Sequence, residues 1–338
     1  MAQKRSRRSR RSSDRGPRGE LGRLVPLLLA LFTVYAVMVG ISAVDWSAWR
    51  LRTPLFMPNL DNLSLILQQG AINIVLGVGM TFVILTAGID LSVGSLLALC
   101  NVLFVITAMK LGGEAGPGAT AFVAATLVAA SAGALCGLVN GVVTVWGRVQ
   151  SFVVTLGMLM AAKGLAYLVS NGQTERLSCP PAAGYLVPMG MALASVAAAY
   201  FVLGFTRTGR YMYAVGGNLE ASRLSGVPVN RVRIMAFAVS GLCAGLAGIV
   251  YWARLSMGTY LAGETYELYA IAAVVIGGTS LMGGEGSVLG TLVGALIMAV
   301  LYNGLDTVGV DDMPQRIIIG VVIVTAALYD SMRHRHMS

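Results

Sequence analysis

Long apolar runs dominate this sequence and restrict the folds open to it. Hydrophobic windows and the residues that interrupt them predict ten helices: 24–44, 63–87, 91–109, 119–146, 149–170, 185–205, 232–256, 267–278, 287–305 and 316–330. The eighth is too short to cross a bilayer core of about 30 Å and is expected to be tilted, broken or re-entrant. Only 12% of the residues are charged, against about 25% in soluble domains. We therefore predict an all-α, polytopic membrane helix bundle spanning residues 24–330.

The basic residues predict the orientation of this bundle. Residues 1–23 hold nine of the 24 Lys and Arg. We expect them to form a disordered cytoplasmic tail that contacts anionic lipid rather than nucleic acid, because the tail has no aromatic residues. With the tail inside, the inner segments hold 17 Lys and Arg and the outer segments 5. This asymmetry places the basic loop 206–233 and the C-terminal tail 331–338 in the cytoplasm as well.

The sequence contains no pattern for catalysis or for an energy source of its own. The four cysteines are scattered without a CxxC pair, and both histidines lie in the last five residues, which argues against a zinc or haem site. GMLMAAKG at 157–164 lacks the glycine that precedes the lysine of a P-loop, and GGTSLMGGEGS at 277–287 has no lysine. We expect a non-enzymatic protein without a cofactor, which obtains its energy from an associated ATPase.

The basic loop contains a short predicted helix with signals at both ends. In NLEASRLSG, Asn218 is a suitable N-cap, Gly226 suits the left-handed C′ position, and Pro228 prevents continuation. A helix of two turns is marginal alone in water, so we expect a partner protein to pack on it; the alternative is an ordinary structured surface loop. The predicted docking segment comprises Asn218, Leu219, Glu220, Ala221, Ser222, Arg223, Leu224, Ser225 and Gly226.

One carboxylate interrupts a long stretch without other charges. Asp90 lies in GIDLSVGS, residues 88–95, between the second and third predicted helices. Asp90 or Ser92 can cap the third helix, while Gly88 ends the second. Alternatively, Asp90 lines a path for a polar solute, and the residues predicted for that path are Asn73, Asp90, Ser92, Ser95, Asn101 and Asn303. Lys163 lies deep in the fifth predicted helix and is expected to pair with an unidentified acid.

Three blocks of sequence resemble a known family. They are GMTFVILTAGIDLSVGSLLAL (79–99), GRYMYAVGGNLEASRLSGVPV (209–229) and YELYAIAAVVIGGTSLMGGEGSVLGTLVGAL (266–296). In sequence, order and spacing they are similar to the permease subunits of bacterial ribose-type sugar ABC transporters, from about residue 60 to 330. Where Tyr269 stands, that family usually has an acidic residue.

The resemblance implies a fold, a location and partners. It places the chain in the bacterial inner membrane as a dimer of permeases, formed either by two copies or with a related second chain. A cytoplasmic ATPase would bind ATP and Mg, an external sugar-binding protein would deliver the substrate, and Asn218–Gly226 would be the coupling helix. The expected substrate is a ribose-like pentose or a hexose.

Two other functions compete with import by a permease. An ion-coupled secondary transporter of a small polar solute needs titratable groups at mid-membrane, for which Asp90 and Lys163 are the candidates. A membrane-embedded enzyme is disfavoured, because the sequence has no HExxH motif and no histidine outside its C-terminal tail.

Overall fold

The computed structural model describes residues 17–45, 50–51, 60–113 and 118–335. Residues 1–16 of the predicted basic tail, like residues 336–338, lie outside the described residues. Residues 17–23 belong to the first helix, which begins before the apolar run that predicted it. At the other end, residues 331–335 of the predicted C-terminal tail continue the last helix.

Helices account for almost all regular structure in the described part of the chain. In order, the elements are α1 Pro17–Ser42, β1 Val44–Asp45, β2 Arg50–Leu51, α2 Leu60–Leu85, α3 Val93–Gly112, α4 Ala119–Trp146, α5 Ser151–Val169, β3 Glu175–Arg176, α6 Pro181–Phe205, α7 Arg207–Gly217, α8 Leu219–Leu224, α9 Val229–Leu255, β4 Met257–Gly258, α10 Tyr266–Ile276, α11 Val288–Val308 and α12 Asp312–Arg335. The strands form two antiparallel pairs, β1 with β2 and β3 with β4. The predicted all-α bundle is confirmed.

Eight helices in the described residues are long and apolar enough to cross a membrane: α1 to α6, α9 and α11. Two further apolar helical segments are shorter, namely α10 and Met313–Thr325 within α12. These ten segments correspond to the ten predicted helices. The eighth is short, as predicted: α10 has 11 residues, which is about 16 Å at 1.5 Å per residue.

The backbone after α10 is irregular but is held by other parts of the protein. We refer to residues 277–287 as the glycine turn. The Gly284 N–H donates to the Leu85 carbonyl at the end of α2, with an N–O distance of 3.0 Å. The Tyr213 hydroxyl of α7 donates to the Gly286 carbonyl, also at 3.0 Å. Irregular backbone within a membrane protein is stable where protein or water satisfies it, so these contacts allow α10 to end early.

The ends of the helices form two faces. The glycine turn, α7, α8 and the turn 86–92 lie together at one face, which we call the α8 face; Ile89 N–H also donates to Ser151 Oγ there, at 3.2 Å. At the opposite ends, β3 pairs with β4, which joins the α5–α6 connection to the α9–α10 connection. We call this the ribbon face. The predicted basic loop thus lies at the opposite end from the ribbon.

Glycines bring α4 and α9 into direct backbone contact. A Cβ atom on Gly133 would collide with the Gly241 carbonyl oxygen, and one on Gly241 would collide with the Gly133 carbonyl oxygen. Gly137 and Gly245 extend the same seam. Small residues four apart let helices approach closely in lipid, and α4 and α9 pack in this way. It fixes α9 beside α4 and thereby positions the polar residues of both.

Helix α7 lies within the segment predicted as the basic loop and is not among the predicted helices. Its N-cap is Thr206, whose Oγ1 accepts the Gly209 N–H at 3.2 Å. Gly209, Met212 and Val215 are its buried residues. Their spacing of three is the amphipathic signal that identifies such a helix in sequence, and it leads the chain directly into α8.

Candidate functional site

The Asp90 carboxylate is fully buried at the α8 face and bridges two helices. Its Oδ1 accepts the Ser92 backbone N–H at 3.0 Å and the Ser92 hydroxyl at 2.6 Å. Its Oδ2 accepts the Ser240 hydroxyl of α9 at 2.8 Å. Burial raises the pKa of the Asp90 carboxyl, while the hydrogen bonds from Ser92 and Ser240 lower it. Both carboxylate oxygens therefore have partners within the protein.

A fourth side chain extends this network to α4. Asn140 Nδ2 donates to Ser92 Oγ at 2.9 Å, whereas Asn140 Oδ1 is buried without a partner. The network thus ties the start of α3 to α4 and α9. Sequence reasoning proposed Asp90 and Ser92 but missed Asn140 and Ser240. The available signal was that each is a polar residue inside an apolar helix.

The predicted helix ends around Asp90 require correction. Asp90 accepts the N–H of Ser92, which precedes α3, so it forms an Asx turn rather than an N-cap; Ser92 makes no side-chain cap either. The left-handed residue after α2 is Ala87, with a φ of 57°, and not Gly88. At Gly88 a Cβ would lie 3.1 Å from Phe237 Cζ, so a side chain there would require that ring to shift.

Helix α8 has the two predicted end structures. Asn218 Oδ1 accepts the Ala221 N–H at 2.9 Å. At the other end, Gly226 has a φ of +77°. Its N–H donates to the Arg223 carbonyl at 3.1 Å, and the Val227 N–H donates to the Ser222 carbonyl at 3.0 Å. These two bonds form a Schellman motif, so local hydrogen bonds hold a helix of six residues.

The outer surface of α8 combines an ion pair with an exposed leucine. Glu220 Oε1 lies 3.2 Å from Arg223 Nη1, and both side chains are exposed. The Leu224 side chain is 88% exposed. Exposed ion pairs of this kind contribute little stability, and a large apolar side chain gains nothing by facing water. The ion pair and Leu224 are therefore open to contact by another molecule.

Backbone contacts connect α8 to the Asp90 turn. A Cβ on Gly216, near the end of α7, would collide with the Leu85 carbonyl oxygen and the Gly284 nitrogen. A Cβ on Gly283 would lie 3.0 Å from Ala87 Cβ. Glycine backbone, rather than flexible side chains, thus makes the contacts that join α7 to the glycine turn and to the end of α2. Helix α8 follows α7 directly in the chain.

A small, mainly apolar cavity lies between α2, α9, α10, α11 and α12. We call it the tyrosine cavity, and its polar lining consists of Gln69, Asn73, Arg254, Tyr266, Tyr269 and Tyr302. Asn73 is the only one of the six predicted path residues in this lining. Sequence reasoning missed the others, since the rotation of a helix about its axis does not follow from hydropathy.

A second small cavity lies on the other side of the first turn of α10. Ser95, Lys163, Glu264 and Glu267 are among the residues that line it. Lys163 was predicted to pair with an unidentified acid, and the structure places two carboxylates in the same cavity. No ion pair within 4 Å joins Lys163 to Glu264 or Glu267, so the two carboxylates share the cavity with Lys163 without a direct pair.

The remaining predicted path residues lie elsewhere. Asn101 Nδ2 donates to the Gly248 carbonyl at 3.0 Å and the Met257 carbonyl at 3.2 Å, and its Oδ1 accepts the Thr259 N–H at 2.9 Å. Its amide thus anchors the ribbon. Asn303 is buried in α11, and its Oδ1 has no partner. The six residues therefore occupy several separate places, and their role in a path stays a prediction.

Comparison with known proteins decides the family. The sequence pattern of the family described as "Branched-chain amino acid transport system / permease component" matches residues 62–327. The chain belongs to this permease family. The match covers every element from α2 into α12, including the Asp90 turn, α8 and the glycine turn.

Individual relatives give the branch of the family. The chain is 45% identical over 287 residues to the ribose import permease protein RbsC of Escherichia coli (strain K12), covering 81% of this chain and 87% of the relative. It is 33% identical over 288 residues to the D-allose transport system permease protein AlsC of the same strain, covering 83% and 86%. It is 37% identical over 284 residues to the fructose import permease protein FrcC of Rhizobium meliloti, covering 79% and 77%.

These relatives confirm the family that the three sequence blocks predicted. They are named as permeases of import or transport systems, and this supports the permease interpretation and not the ion-coupled alternative. The chain is therefore a multi-pass membrane protein and a non-enzymatic transport subunit.

Proposed function

We propose that this chain is the membrane-spanning permease subunit of an ATP-driven importer for a monosaccharide. The observation that carries the proposal is α8, a helix capped at both ends whose ion pair and Leu224 face outward. The names of the relatives supply the substrate class: ribose, allose and fructose are all small neutral sugars.

The proposed partners follow from three features: the sequence has no P-loop pattern, α8 is exposed, and acidic side chains are exposed at the ribbon face. A cytoplasmic ATPase, which binds ATP and Mg, receives α8 in a surface cleft. A sugar-binding protein docks at the ribbon face, where Glu264, Asp306 and Asp311 supply exposed acidic side chains for charge pairing. A second permease, either another copy or a related chain, completes the transporter in the bacterial inner membrane, with both termini cytoplasmic.

In the proposed mechanism, ATP binding and hydrolysis move the ATPase subunits and with them α8. The contacts of Gly216 with Leu85 and Gly284 pass this displacement to the end of α2 and to the Asp90 turn. A shift of packed helices of this type opens a transporter alternately to its two sides. Because the Asp90 network joins α3, α4 and α9, these helices respond as a unit.

Co-purification from native membranes tests the docking helix. The Leu224→Ser variant and the Glu220→Ala/Arg223→Ala variant are expected to lose the ATPase that accompanies the wild-type chain in mild detergent. The matched control is Leu261→Ser, which changes an exposed leucine in the loop between β4 and α10 and should retain the ATPase. If both α8 variants retain the ATPase at the wild-type ratio, the docking assignment is wrong. If no ATPase accompanies the wild type after crosslinking, the proposed function fails.

A further inference from the structure

Helix α6 packs one side against the bundle and leaves an apolar side open. Its inward side consists of the buried residues Pro188, Ala192, Val196, Ala199 and Leu203. On another side, Leu186 and Leu193 are each 71% exposed, and Tyr200 follows after seven more residues. Residues seven apart lie on one side of a helix. Because lipid chains are as apolar as leucine, this stripe of a membrane-crossing helix is suited to contact with acyl chains.

The stripe ends in a group of aromatic rings where α6 reaches the α8 face. The ring centroids of Phe201 and Phe205 are 5.9 Å apart with an angle of 20° between planes, and those of Tyr200 and Phe205 are 5.9 Å apart at 69°. All three side chains are exposed. Tyrosine rings concentrate at the depth of the lipid headgroups. The group therefore lies where acyl chains give way to headgroups.

Two arginines without acidic partners follow directly. Arg207 and Arg210 are exposed and three positions apart in α7, so they lie on the same side of that helix. Among the described residues, neither has a carboxylate within 4 Å. The sequence contains no Asp or Glu between Glu175 and Glu220. The two guanidinium groups are thus available to an external anion, and their paired N–H groups match the geometry of a phosphate.

The corner between the two helices holds the arginines beside the aromatic rings. Thr206 is the single residue between α6 and α7. Its hydroxyl donates to the Val202 carbonyl at 2.6 Å and accepts the Gly209 N–H at 3.2 Å. A Cβ on Gly209 would collide with the Leu203 carbonyl oxygen. The first turn of α7 is therefore packed on the last turn of α6, and an external ligand meets a corner that is already formed.

We propose that this corner binds an anionic phospholipid of the cytoplasmic leaflet. We call it the α6–α7 corner, and it consists of Tyr200, Phe201, Phe205, Arg207 and Arg210. The lipid phosphate binds the two guanidinium groups, and an acyl chain lies along the aromatic rings and the stripe of α6. A headgroup with net negative charge binds better than a zwitterionic one, because the corner has no carboxylate to pair with a lipid ammonium group. The inference rests on the orientation in the proposed function, in which the α8 face is cytoplasmic.

The position of the two arginines favours a lipid over the ATPase as the occupant. Orientation in the membrane requires only that basic residues lie on the inner side, and the exposed Arg148 and Arg231 meet that requirement too. Arg207, in contrast, lies two residues beyond Phe205, at the end of the apolar stripe. A molecule that fits both features has an apolar chain joined to an anionic head. The proposed ATPase contact is on α8, beyond the other end of α7.

Native mass spectrometry of the full-length permease tests the corner. The protein in mild detergent is titrated with phosphatidylglycerol or with phosphatidylcholine of the same acyl chains, and phosphatidylglycerol is expected to be retained preferentially. Arg207→Gln/Arg210→Gln should weaken retention of phosphatidylglycerol by about tenfold, since each basic residue at an anionic lipid surface contributes about fivefold. The matched control Arg148→Gln/Arg231→Gln removes the same charge and should retain the wild-type affinity.

The outcomes separate the corner from the proposed function. Equal weakening in the two double variants shows attraction by net charge alone and overturns the site. Unchanged lipid retention together with loss of ATPase co-purification in Arg207→Gln/Arg210→Gln assigns the arginines to the ATPase and also overturns it. The titration requires neither ATP nor sugar, so its failure leaves the proposed function standing. An absence of any ATPase partner, tested separately on the wild type, counts against the proposed function instead.

Photocrosslinking gives the position of the lipid. The probe is phosphatidylglycerol with a diazirine near the glycerol end of one acyl chain, incorporated with the wild-type permease into bilayers. Peptide mapping is expected to find the label in residues 197–205 and to find severalfold less of it there in Arg207→Gln/Arg210→Gln. Labelling spread evenly over the exposed sides of α4, α5 and α6 overturns the proposal. A dimer without label in residues 197–205 shows that a second permease covers this side of α6, and it overturns the proposal as well.

Discussion

Ser240 donates a hydrogen bond of 2.8 Å to Asp90, although 150 positions separate the two residues in the chain. The bond connects the turn between α2 and α3 to the middle of α9. Ser240 donates to Asp90 Oδ2, whereas Ser92 donates to Oδ1. This relationship explains why the turn keeps a buried carboxylate. It also separates two roles of Asp90 that substitution can distinguish.

Asp90→Ala is expected to destabilise the permease by about 3 kcal/mol, because it leaves the buried Ser92 and Ser240 hydroxyls without their acceptor. Asp90→Asn should retain most of the stability: the amide oxygen replaces Oδ1, and the amide nitrogen donates to Ser240 Oγ. The midpoint of thermal unfolding in detergent measures both effects. Equal midpoints for Asp90→Ala and wild type would contradict this account. An intact Asp90→Asn complex without sugar uptake would show that transport requires the acid itself.

Gly226→Ala is expected to weaken ATPase binding, because a left-handed conformation costs alanine about 1 kcal/mol and the Schellman motif depends on it. The helix would fray from its C-terminal end, where Leu224 lies. The matched control is Gly217→Ala, at a glycine with open space around its Cβ position and no positive φ. Titration of detergent-purified permease with ATPase provides the affinity. If both alanine variants bind equally well, the cap of α8 is irrelevant to docking.

Gly241→Val is expected to disrupt the contact of α4 with α9, since the new side chain collides with Gly133 and Gly137 backbone atoms. Overpacking of this kind destabilises by about 3 kcal/mol. Gly157→Val in α5, where a Cβ has open space, is the control and should be tolerated. Size-exclusion profiles and thermal midpoints compare the two. A stable Gly241→Val protein would show that the backbones of α4 and α9 are not in contact.

Asn101→Ala is expected to reduce stability by about 2 kcal/mol, through loss of its hydrogen bonds to Gly248, Met257 and Thr259. If the role of Asn101 is to anchor the ribbon, sugar uptake per folded complex stays at the wild-type level. Uptake normalised to assembled transporter measures this. A stable variant with impaired uptake would instead support the predicted place of Asn101 in the solute path.

Local chemistry determined which features could be predicted from the sequence. The caps of α8 depend on Asn218, Gly226 and Pro228, which are close in the chain, so their roles followed from residue type. The shortness of α10 followed from the length of its apolar run. The partner of Asp90 could not be predicted in this way, because it depends on how α9 is rotated and on the glycine seam that fixes α9 against α4. For the same reason the tyrosine cavity could not be assembled from Asn73 alone.

The glycine turn has a practical consequence for engineering this protein. Its composition, GGTSLMGGEGS, matches that of the flexible linkers into which tags and fluorescent reporters are usually inserted. Yet its backbone is bonded to Leu85 and Tyr213 and fits against Gly216 without spare room. An insertion here would break the contacts that join α7 to the end of α2. Reporters belong instead in the exposed segment around Gln173, on the opposite face.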